Sequence, residues 1–332
     1  MRAMTLRQPG PIDKNRLITS SLEYTKPTKE EVLIRVSCCG VCRTDLHIVE
    51  GDLKVPVLPI IPGHQVVGVV EAIGNEVGNI KEGDRVGLPW MNSTCGSCDY
   101  CESNQENLCS KAQFTGLHRH GGYAEYVTTP QQFVYPLPND IPYEQVAPLL
   151  CAGVIGFRTL KLSGIQPGEK LGLYGFGASA HVTIQVARHW DCKVYVFTRS
   201  IDHQKHAEEL GAFWTGTSKD DPGTELDASL VFAPVGWLMI EALERVRKGG
   251  TVISAGIHMS DIPQFPYQLI YGEKTISTAA NATYADGAEL LQLAGEIPIR
   301  TEVEIYSLDK ANEALRDLKA SRFNGAAVLT IS

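Results

Sequence analysis

The chain has 332 residues, of which 43% are apolar and 20% are charged, and this composition is typical of a soluble globular protein with about two domains. Its net charge of −8 argues against a nucleic acid or an anionic membrane as the main partner. The sequence holds neither an apolar run of roughly 18 residues nor an apolar leader, so we expect a cytoplasmic protein without a membrane span.

Short β-type segments, with many glycines and prolines between them, fill the first region, residues 1–151. The segments "EVLIRVSC", "QVVGVVEAIG" and "YAEYVTT" alternate apolar and polar residues. This alternation predicts antiparallel strands joined by turns rather than helices. We therefore expect a first, mostly-β domain.

Strand and helix patterns alternate through the second region, residues 152–281. "KLGLYGFG" predicts a strand and a glycine turn, and "SAHVTIQVARHW" has helical spacing. "CKVYVFT", "HQKHAEELGA", "ASLVFAP", "MIEALERVRKGG" and "TVISAGI" continue the strand–helix order. The region predicts a doubly wound parallel sheet. Residues 282–332 add helix, strand, helix and strand, the last being "GAAVLTI".

The glycine turn "YGFGASA" has the pattern G-x-G-x-x-A. Gly175 permits the turn, Gly177 and Ala178 bring the backbone close to a pyrophosphate, and Ala180 lets helix and strand pack closely. A glycine turn alone is common, but this one follows an apolar strand and opens a helix, which favours dinucleotide binding.

The following strand indicates which dinucleotide is bound. An acidic residue at its end would bind the ribose 2′-hydroxyl of NAD, but here the strand ends with Thr198, Arg199 and Ser200. Arg199 could pair with a 2′-phosphate, with hydroxyl donors on either side. We therefore expect NADP(H) over NAD(H), although Arg199 could also be an ordinary solvated loop residue.

Four of the nine cysteines lie together in "CGSCDYCESNQENLC". Their spacing is typical of a closed tetrahedral zinc site formed by Cys95, Cys98, Cys101 and Cys109. Disulfides fit a cytosolic protein badly, and the C-x3-C-P continuation of ferredoxin clusters is absent. We expect a structural zinc that staples a loop lobe at about residues 90–112.

Three further residues could form a second zinc site. Cys42 lies in "CGVCRTDLH", His64 in "PGHQVVGVVEAIG" and Cys151 in "APLLCAGV". A Cys₂His site would leave the fourth zinc position open for a substrate oxygen. Cys38, Cys39 and Cys192 are expected to be small buried hydrophobic residues.

Taken in order, "GVCRTDLH", "PGHQVVGVVEAIGNEV", "GDRVG", the four-cysteine lobe, "APLLCAG" and "YGFGASA" resemble the zinc-dependent alcohol dehydrogenases of the medium-chain dehydrogenase/reductase superfamily. The resemblance runs over nearly the whole chain. It implies a GroES-like catalytic domain followed by a Rossmann domain, with a C-terminal segment that returns to the first domain. "GLPWMNSTCGSC" and "LLCAG" look most like the small-substrate, tetrameric branch, so we expect a dimer or tetramer.

The resemblance also implies residue roles. Cys42, His64 and Cys151 match the catalytic zinc ligands, Thr44 the hydroxyl that binds the substrate oxygen, and His47 the end of a proton relay. Asp45 matches a residue that supports the zinc histidine, and Arg43 matches a residue that contacts a cofactor phosphate. Trp90 matches a tryptophan that narrows the alcohol pocket. Thr44 could also be the N-cap of a helix "DLHIVEG".

Two positions depart from the family pattern. Gln65 stands where a glutamate usually follows the zinc histidine, which puts ligand exchange at the metal in doubt. Ala326 stands where many relatives carry an arginine for the pyrophosphate.

The implied reaction is reversible hydride transfer between a primary or secondary alcohol and a nicotinamide cofactor, with two zinc ions per chain. A polyol, sugar or amino-alcohol dehydrogenase on the same scaffold is the first alternative. A non-enzymatic, zinc-stabilised binding protein is the second.

Overall fold

The computed structural model describes residues 1–331. The chain forms two compact units: Met1–Cys151 together with the residues from Thr283 onward make the first, and Ala152–Ala282 make the second. No single helix in the described part of the chain is long and apolar enough to cross a membrane, and one bent pair, Tyr143–Leu150 with Ala152–Leu162, passes that test on length and composition only.

The secondary structure is mixed throughout. Within residues 1–331 the strands are, in chain order, β1 (Arg2–Leu6), β2 (Leu17–Ser21), β3 (Glu31–Val41), β4 (Val66–Ile73), β5 (Arg85–Leu88), β6 (Met91–Ser93), β7 (Gln113–Phe114), β8 (Tyr126–Pro130), β9 (Tyr135–Pro136), β10 (Lys170–Tyr174), β11 (Lys193–Phe197), β12 (Trp214–Gly216), β13 (Leu226–Val231), β14 (Val246–Ser254), β15 (Thr275–Thr278), β16 (Val303–Ser307) and β17 (Ala326–Thr330). The α-helices of the same part are α1 (Arg43–Glu50), α2 (Asp99–Glu102), α3 (Tyr143–Val146), α4 (Ala152–Leu162), α5 (Ala178–His189), α6 (Ile201–Glu209), α7 (Trp237–Arg245), α8 (Tyr284–Glu296) and α9 (Ala311–Lys319).

The first unit is built on a seven-stranded sheet in the order β16-β17-β3-β4-β5-β9, with β8 also paired to β3. β3 is its long central strand, and Val32, Ile34 and Val36 on it are fully buried. β-branched residues suit such a pleated, packed surface. β17 pairs antiparallel with β3, so the end of the chain completes the sheet of the first unit.

The antiparallel pairing of β3 with β4 determines where the candidate metal ligands lie. Cys39 near the end of β3 is the register partner of Val66 at the start of β4. The residue that ends β3 therefore comes close to the residue that precedes β4. This geometry brings Cys42, just beyond β3, beside His64, just before β4.

The second unit holds a six-stranded sheet in the order β12-β11-β10-β13-β14-β15. Every pair in it is parallel. Three of its strands, β10, β11 and β13, are buried over nearly their whole length, as expected for parallel strands that helices cover on both faces. The strand order reverses beside β10, the position where doubly wound sheets bind their ligands. The predicted fold class is confirmed.

One predicted boundary is wrong. "MIEALERVRKGG" was predicted as the helix between two strands, but α7 ends at Arg245 and β14 begins at Val246, within this segment. Val246 is fully buried and pairs with Leu226 of β13. Tertiary pairing of this β-branched residue therefore overrides the helical pattern before it.

Candidate metal centre and cofactor turn

Three side chains from separate parts of the sequence meet in the first unit: Cys42, His64 and Cys151. Cys42 Sγ lies 3.2 Å from His64 Nε2 and 3.9 Å from Cys151 Sγ, and His64 Nε2 lies 3.3 Å from Cys151 Sγ. Ideal tetrahedral zinc separates two sulfur ligands by about 3.8 Å and a sulfur from a nitrogen by about 3.5 Å. The donor set therefore fits one zinc ion, with three protein ligands and one position left for another ligand.

Local chain geometry holds this cluster in place. Cys42 is the N-cap of α1, and its Sγ accepts the backbone N–H of Thr44 at 3.3 Å. The alternative that Thr44 caps the helix is therefore wrong, because the helix already begins at Arg43. Cys151 follows a buried 3₁₀ turn, Ala147–Leu150, which packs on β3, β4 and β5.

A buried carboxylate, Asp45, organises the cluster from behind. Asp45 is fully buried, and its Oδ1 lies 3.0 Å from His64 Nδ1 and accepts the Gly63 N–H at 3.1 Å. Its Oδ2 accepts the Cys42 N–H at 3.0 Å. A carboxylate on Nδ1 directs His64 Nε2 toward the sulfur atoms.

The charges of the cluster are those that a cation would balance. The hydrogen bond with Cys151 and the positive charge of His64 hold the pKa of the Cys42 thiol well below its ordinary value. Burial opposes an imidazolium, but Asp45 and Cys42 together raise the pKa of His64. Burial raises the pKa of Asp45, and His64 partly offsets this. Metal ligands must be deprotonated, and these groups are poised to exchange protons for a metal ion.

Trp90 and His47 also lie in the first unit. Trp90 meets the His64 ring edge-on with centroids 5.0 Å apart, and it stacks on Phe114 at 4.7 Å. This aromatic pair borders the cluster on one side. His47 lies one turn after Thr44 on α1, and its Nδ1 is 2.8 Å from Asp52 Oδ2.

The four-cysteine lobe forms a second cluster in the first unit. The sulfur of Cys95 lies 3.9 Å from that of Cys101 and 3.5 Å from that of Cys109, and the sulfurs of Cys98 and Cys101 are 3.6 Å apart. These distances fit one tetrahedral ion. The backbone N–H of Ser97 and the Cys109 thiol lower the pKa of Cys95 to about 6.

The glycine turn lies between β10 and α5 in the second unit. Gly175 has φ +88°, the left-handed region that side chains rarely adopt, and a Cβ there would stand 3.1 Å from Ala233. At Gly177, the N-cap of α5, a Cβ would meet no atom within 4 Å. The space beside this backbone is open, and Ala180 is fully buried behind it. The turn and Ala178, the first helical residue, fit a pyrophosphate group.

The end of β11 carries the predicted cofactor-selecting residues. Thr198 is nearly buried, and its carbonyl accepts the Gln204 side-chain amide. Arg199 is exposed. Ser200 caps α6, its Oγ accepting the His203 N–H at 3.3 Å. A cation and two hydroxyls thus lie at one edge of the sheet, and no acidic residue precedes Asp202 in α6.

The remaining predicted residues lie as follows. Arg43 is exposed at the first position of α1. Gln65 is buried, and a Cβ on Gly40 would stand 2.8 Å from its Oε1. Ala326 is buried at the start of β17, where it pairs with Val303. Cys38, Cys39 and Cys192 are buried, as expected.

Sequence reasoning missed two contacts. Asp52 was not recognised as the partner of His47, although an acid directly after Gly51 at the helix end was a usable signal. Phe114 was not recognised as the stacking partner of Trp90, because the cysteine lobe lies between them in the sequence.

The fold and the two clusters define a metal-dependent dehydrogenase of the class that joins a GroES-like domain to a Rossmann domain. The alcohol dehydrogenase GroES-like domain family matches residues 28–139. A probable alcohol dehydrogenase of Mycobacterium tuberculosis is 44% identical over 100% of this chain and 97% of its own. An alcohol dehydrogenase of Geobacillus stearothermophilus is 36% identical over 96% of this chain and 97% of its own.

A solved structure agrees with these relatives. The cobalt- and zinc-bound thermostable alcohol dehydrogenase of Pyrobaculum aerophilum superposes with a TM-score of 0.90, at 25% identity, over 99% of both chains. The chain belongs to the zinc-dependent alcohol dehydrogenases of the medium-chain superfamily, and it is an oxidoreductase. The predicted family and enzyme class are confirmed.

Proposed function

We propose that this enzyme interconverts a small primary or secondary alcohol with its aldehyde or ketone, at the cluster of Cys42, His64 and Cys151. The observation that carries the proposal is the near-tetrahedral spacing of these three donors, backed by buried Asp45. Such a set leaves one metal position for the substrate oxygen.

Each residue near the cluster has a defined task. A zinc ion held by the three ligands would supply a Lewis acid for the substrate oxygen, and a bound nicotinamide would accept or return the hydride. Asp45 orients His64. Trp90, stacked on Phe114, provides an apolar wall that favours an alkyl or aryl group over a polyol.

Thr44 and His47 handle the proton. They stand three residues apart on α1 and therefore share one face of that helix. Thr44 Oγ takes the proton of the alcohol hydroxyl and gives up its own hydroxyl proton. His47 receives a proton at the end of the relay and releases it to solvent. Histidine suits this step because an imidazole nitrogen can both accept and donate a proton.

The second unit, residues 152–281 in the predicted division, binds the cofactor. Gly175, Gly177, Ala178 and Ala180 receive the pyrophosphate, and Arg43 of α1 contributes a cation for a cofactor phosphate. We infer a preference for NADP(H), with Arg199 pairing with the 2′-phosphate and Thr198 and Ser200 beside it. The exposed side chain of Arg199 is available for such a pair.

Cys95, Cys98, Cys101 and Cys109 hold a second, structural zinc, which makes two ions per chain. All nine cysteines are free, which fits a reducing, cytoplasmic location. The proposal further includes a catalytic domain of residues 1–151, a returning segment of residues 282–332, and assembly as a dimer or tetramer.

The deciding experiment measures initial rates of the zinc-loaded enzyme with aliphatic and aromatic alcohols and aldehydes, each with NAD(H) and NADP(H). We expect turnover of simple alcohols and aldehydes with the higher kcat/KM for the phosphorylated cofactor. Activity confined to polyols or sugars would favour the alternative dehydrogenase, and no turnover with either cofactor would favour a binding protein.

A further inference from the structure

A histidine–carboxylate pair lies at the C-terminal end of α1, the helix that Cys42 caps. His47 Nδ1 lies 2.8 Å from Asp52 Oδ2. His47 keeps 19% of its side-chain surface exposed and Asp52 keeps 51%. This distance is that of a direct, charge-assisted hydrogen bond.

The backbone fixes this pair. Gly51 ends α1 in the left-handed region, at φ +91°, and turns the chain back toward the helix. The N–H groups of Gly51 and Leu53 both donate to the His47 carbonyl, at 3.0 and 3.3 Å. Asp52 lies between these two donors in the sequence, so its carboxylate is held at the His47 ring.

A cation on a neighbouring helix that Asp52 could pair with is engaged elsewhere. Lys319 of α9 binds Glu50 at 2.8 Å. The carboxylates of Asp13 and Asp52 also act on Lys319, but less strongly than Glu50 does. Asp52 is therefore left to the imidazole as its direct hydrogen-bond partner.

A carboxylate on one ring nitrogen selects the tautomer of a neutral histidine. Asp52 accepts a hydrogen bond, so Nδ1 must carry the proton, and Nε2 is left as the acceptor. We propose that Asp52 is a positioning residue that holds His47 as the Nδ1–H tautomer, so that Nε2 receives the proton released by the alcohol. The Nδ1 proton stays with His47 throughout; one proton enters at Nε2 and leaves from Nε2 to solvent.

This inference rests on the relay role of His47 in the proposed function, so its test has two independent parts. The first part is spectroscopic and needs no turnover. Protein labelled with ¹⁵N-histidine is studied by two-dimensional ¹H–¹⁵N spectroscopy, and the His47 signals are assigned as those missing in His47→Gln. We expect the Nδ1–H pattern in the wild type and its loss in Asp52→Ala.

Asp13→Ala is the matched control. Like Asp52→Ala, it removes one carboxylate that acts on Lys319, but Asp13 lies in the 3₁₀ turn beside α1. His47 should keep the wild-type tautomer in this variant. Asp52 is half exposed, so Asp52→Ala removes no core packing. Equal melting temperatures for the two variants verify this.

The second part is kinetic. For alcohol oxidation, Asp52→Ala should lower kcat on the order of ten-fold, a fraction of what general acid–base catalysis contributes, with the alcohol KM little changed. In the His47→Gln background the same substitution should change kcat less than about two-fold, because its effect acts through His47.

The outcomes distinguish the positioning role of Asp52 from the relay role of His47. If His47→Gln lowers kcat but the tautomer is the same with and without Asp52, the positioning role is wrong and the proposed function stands. If the tautomer depends on Asp52 but His47→Gln keeps the wild-type kcat, the relay itself is wrong and the inference falls with it.

Discussion

Two buried aspartates are each the third residue of a helix and close a capping box there. Only one of them lies at the candidate metal centre. Asp45 closes a capping box with Cys42 at the start of α1, and Asp286 closes one with Thr283 at the start of α8. Both are almost fully buried. The pair allows the capping role of an aspartate to be separated from its effect on the metal.

We expect Asp45→Asn to weaken binding of the ion at Cys42, His64 and Cys151. The side-chain amide has one acceptor oxygen, whereas Asp45 uses both of its oxygens, one for Gly63 and His64 and the other for Cys42. One charge-assisted hydrogen bond is lost, worth about 1.5–3 kcal/mol when its donor stays buried. Relief of the buried charge offsets part of this. Metal affinity should fall about 10- to 100-fold, the usual effect of losing such a partner.

Asp286→Asn should behave differently. Its two bonds, from the Thr283 N–H and Oγ at 3.0 and 2.8 Å, end on one oxygen, which the amide oxygen of asparagine can replace, so the change should cost at most about 1 kcal/mol of stability. It should leave metal affinity unchanged, since Asp286 lies in neither metal-binding group of the described residues.

The assay is competition for zinc with a chromophoric chelator, together with a thermal melt of each variant. The ion of the four-cysteine lobe is identified as the one that Cys42→Ala retains. If Asp45→Asn binds zinc as tightly as the wild type, or if Asp286→Asn loses affinity equally, the assigned role of Asp45 is refuted.

Four further predictions concern other residues. Cys42→Ala should lower kcat more than roughly 100-fold because a zinc ligand is lost, while circular dichroism still shows a folded protein; global unfolding would contradict the separation of the two clusters. Cys98→Ala should lower the Tm by roughly 5 °C or more and promote aggregation, because a structural zinc contributes folding free energy; an unchanged Tm would reject this. Arg199→Asp should reduce the NADP(H) to NAD(H) ratio of kcat/KM by roughly 10-fold or more, and an unchanged ratio would exclude Arg199 as the selecting residue. His181 is buried, and desolvation and then His206 lower its pKa to about 4. It therefore stays neutral in the fold, and the protein loses up to about 3 kcal/mol of stability as pH falls from 6.5 to 4, because only the unfolded chain then binds the proton. In urea unfolding, His181→Leu should lose less stability between pH 7.5 and pH 4.5 than the wild type.

The fold class followed from sequence periodicity because the strands of the second unit are strong local signals. Leu171, Leu173 and Tyr174, within the five residues of β10, are all fully buried. The end of α7 at Arg245 could not be predicted from sequence periodicity. Helical spacing continues past it, and only the pairing of Val246 with a strand some twenty residues earlier ends the helix.

The candidate ligands could be identified from sequence, but their supporting contacts could not. Cys42 and His64 stand in recognisable segments, whereas the stack of Phe114 on Trp90 depends on how β6 and β7 pair. The bond from His47 to Asp52 depends on the left-handed turn at Gly51. Glycine after a helix predicts such a turn, but the rotamers that meet across it are set only by tertiary packing.

The candidate metal centre concentrates buried charge in the first unit. Cys42, with its lowered pKa, and Asp45 place negative charge in the interior, and His64 offers one positive charge in return. Buried charge without a partner is costly. A divalent ion that displaces the protons of His64 and Cys151 would leave the net charge of the site unchanged while giving each thiolate a direct cationic partner. Binding to the folded state alone would stabilise that state by mass action. The paired ends of β3 and β4 thus position both the donor atoms and the buried charges of this site.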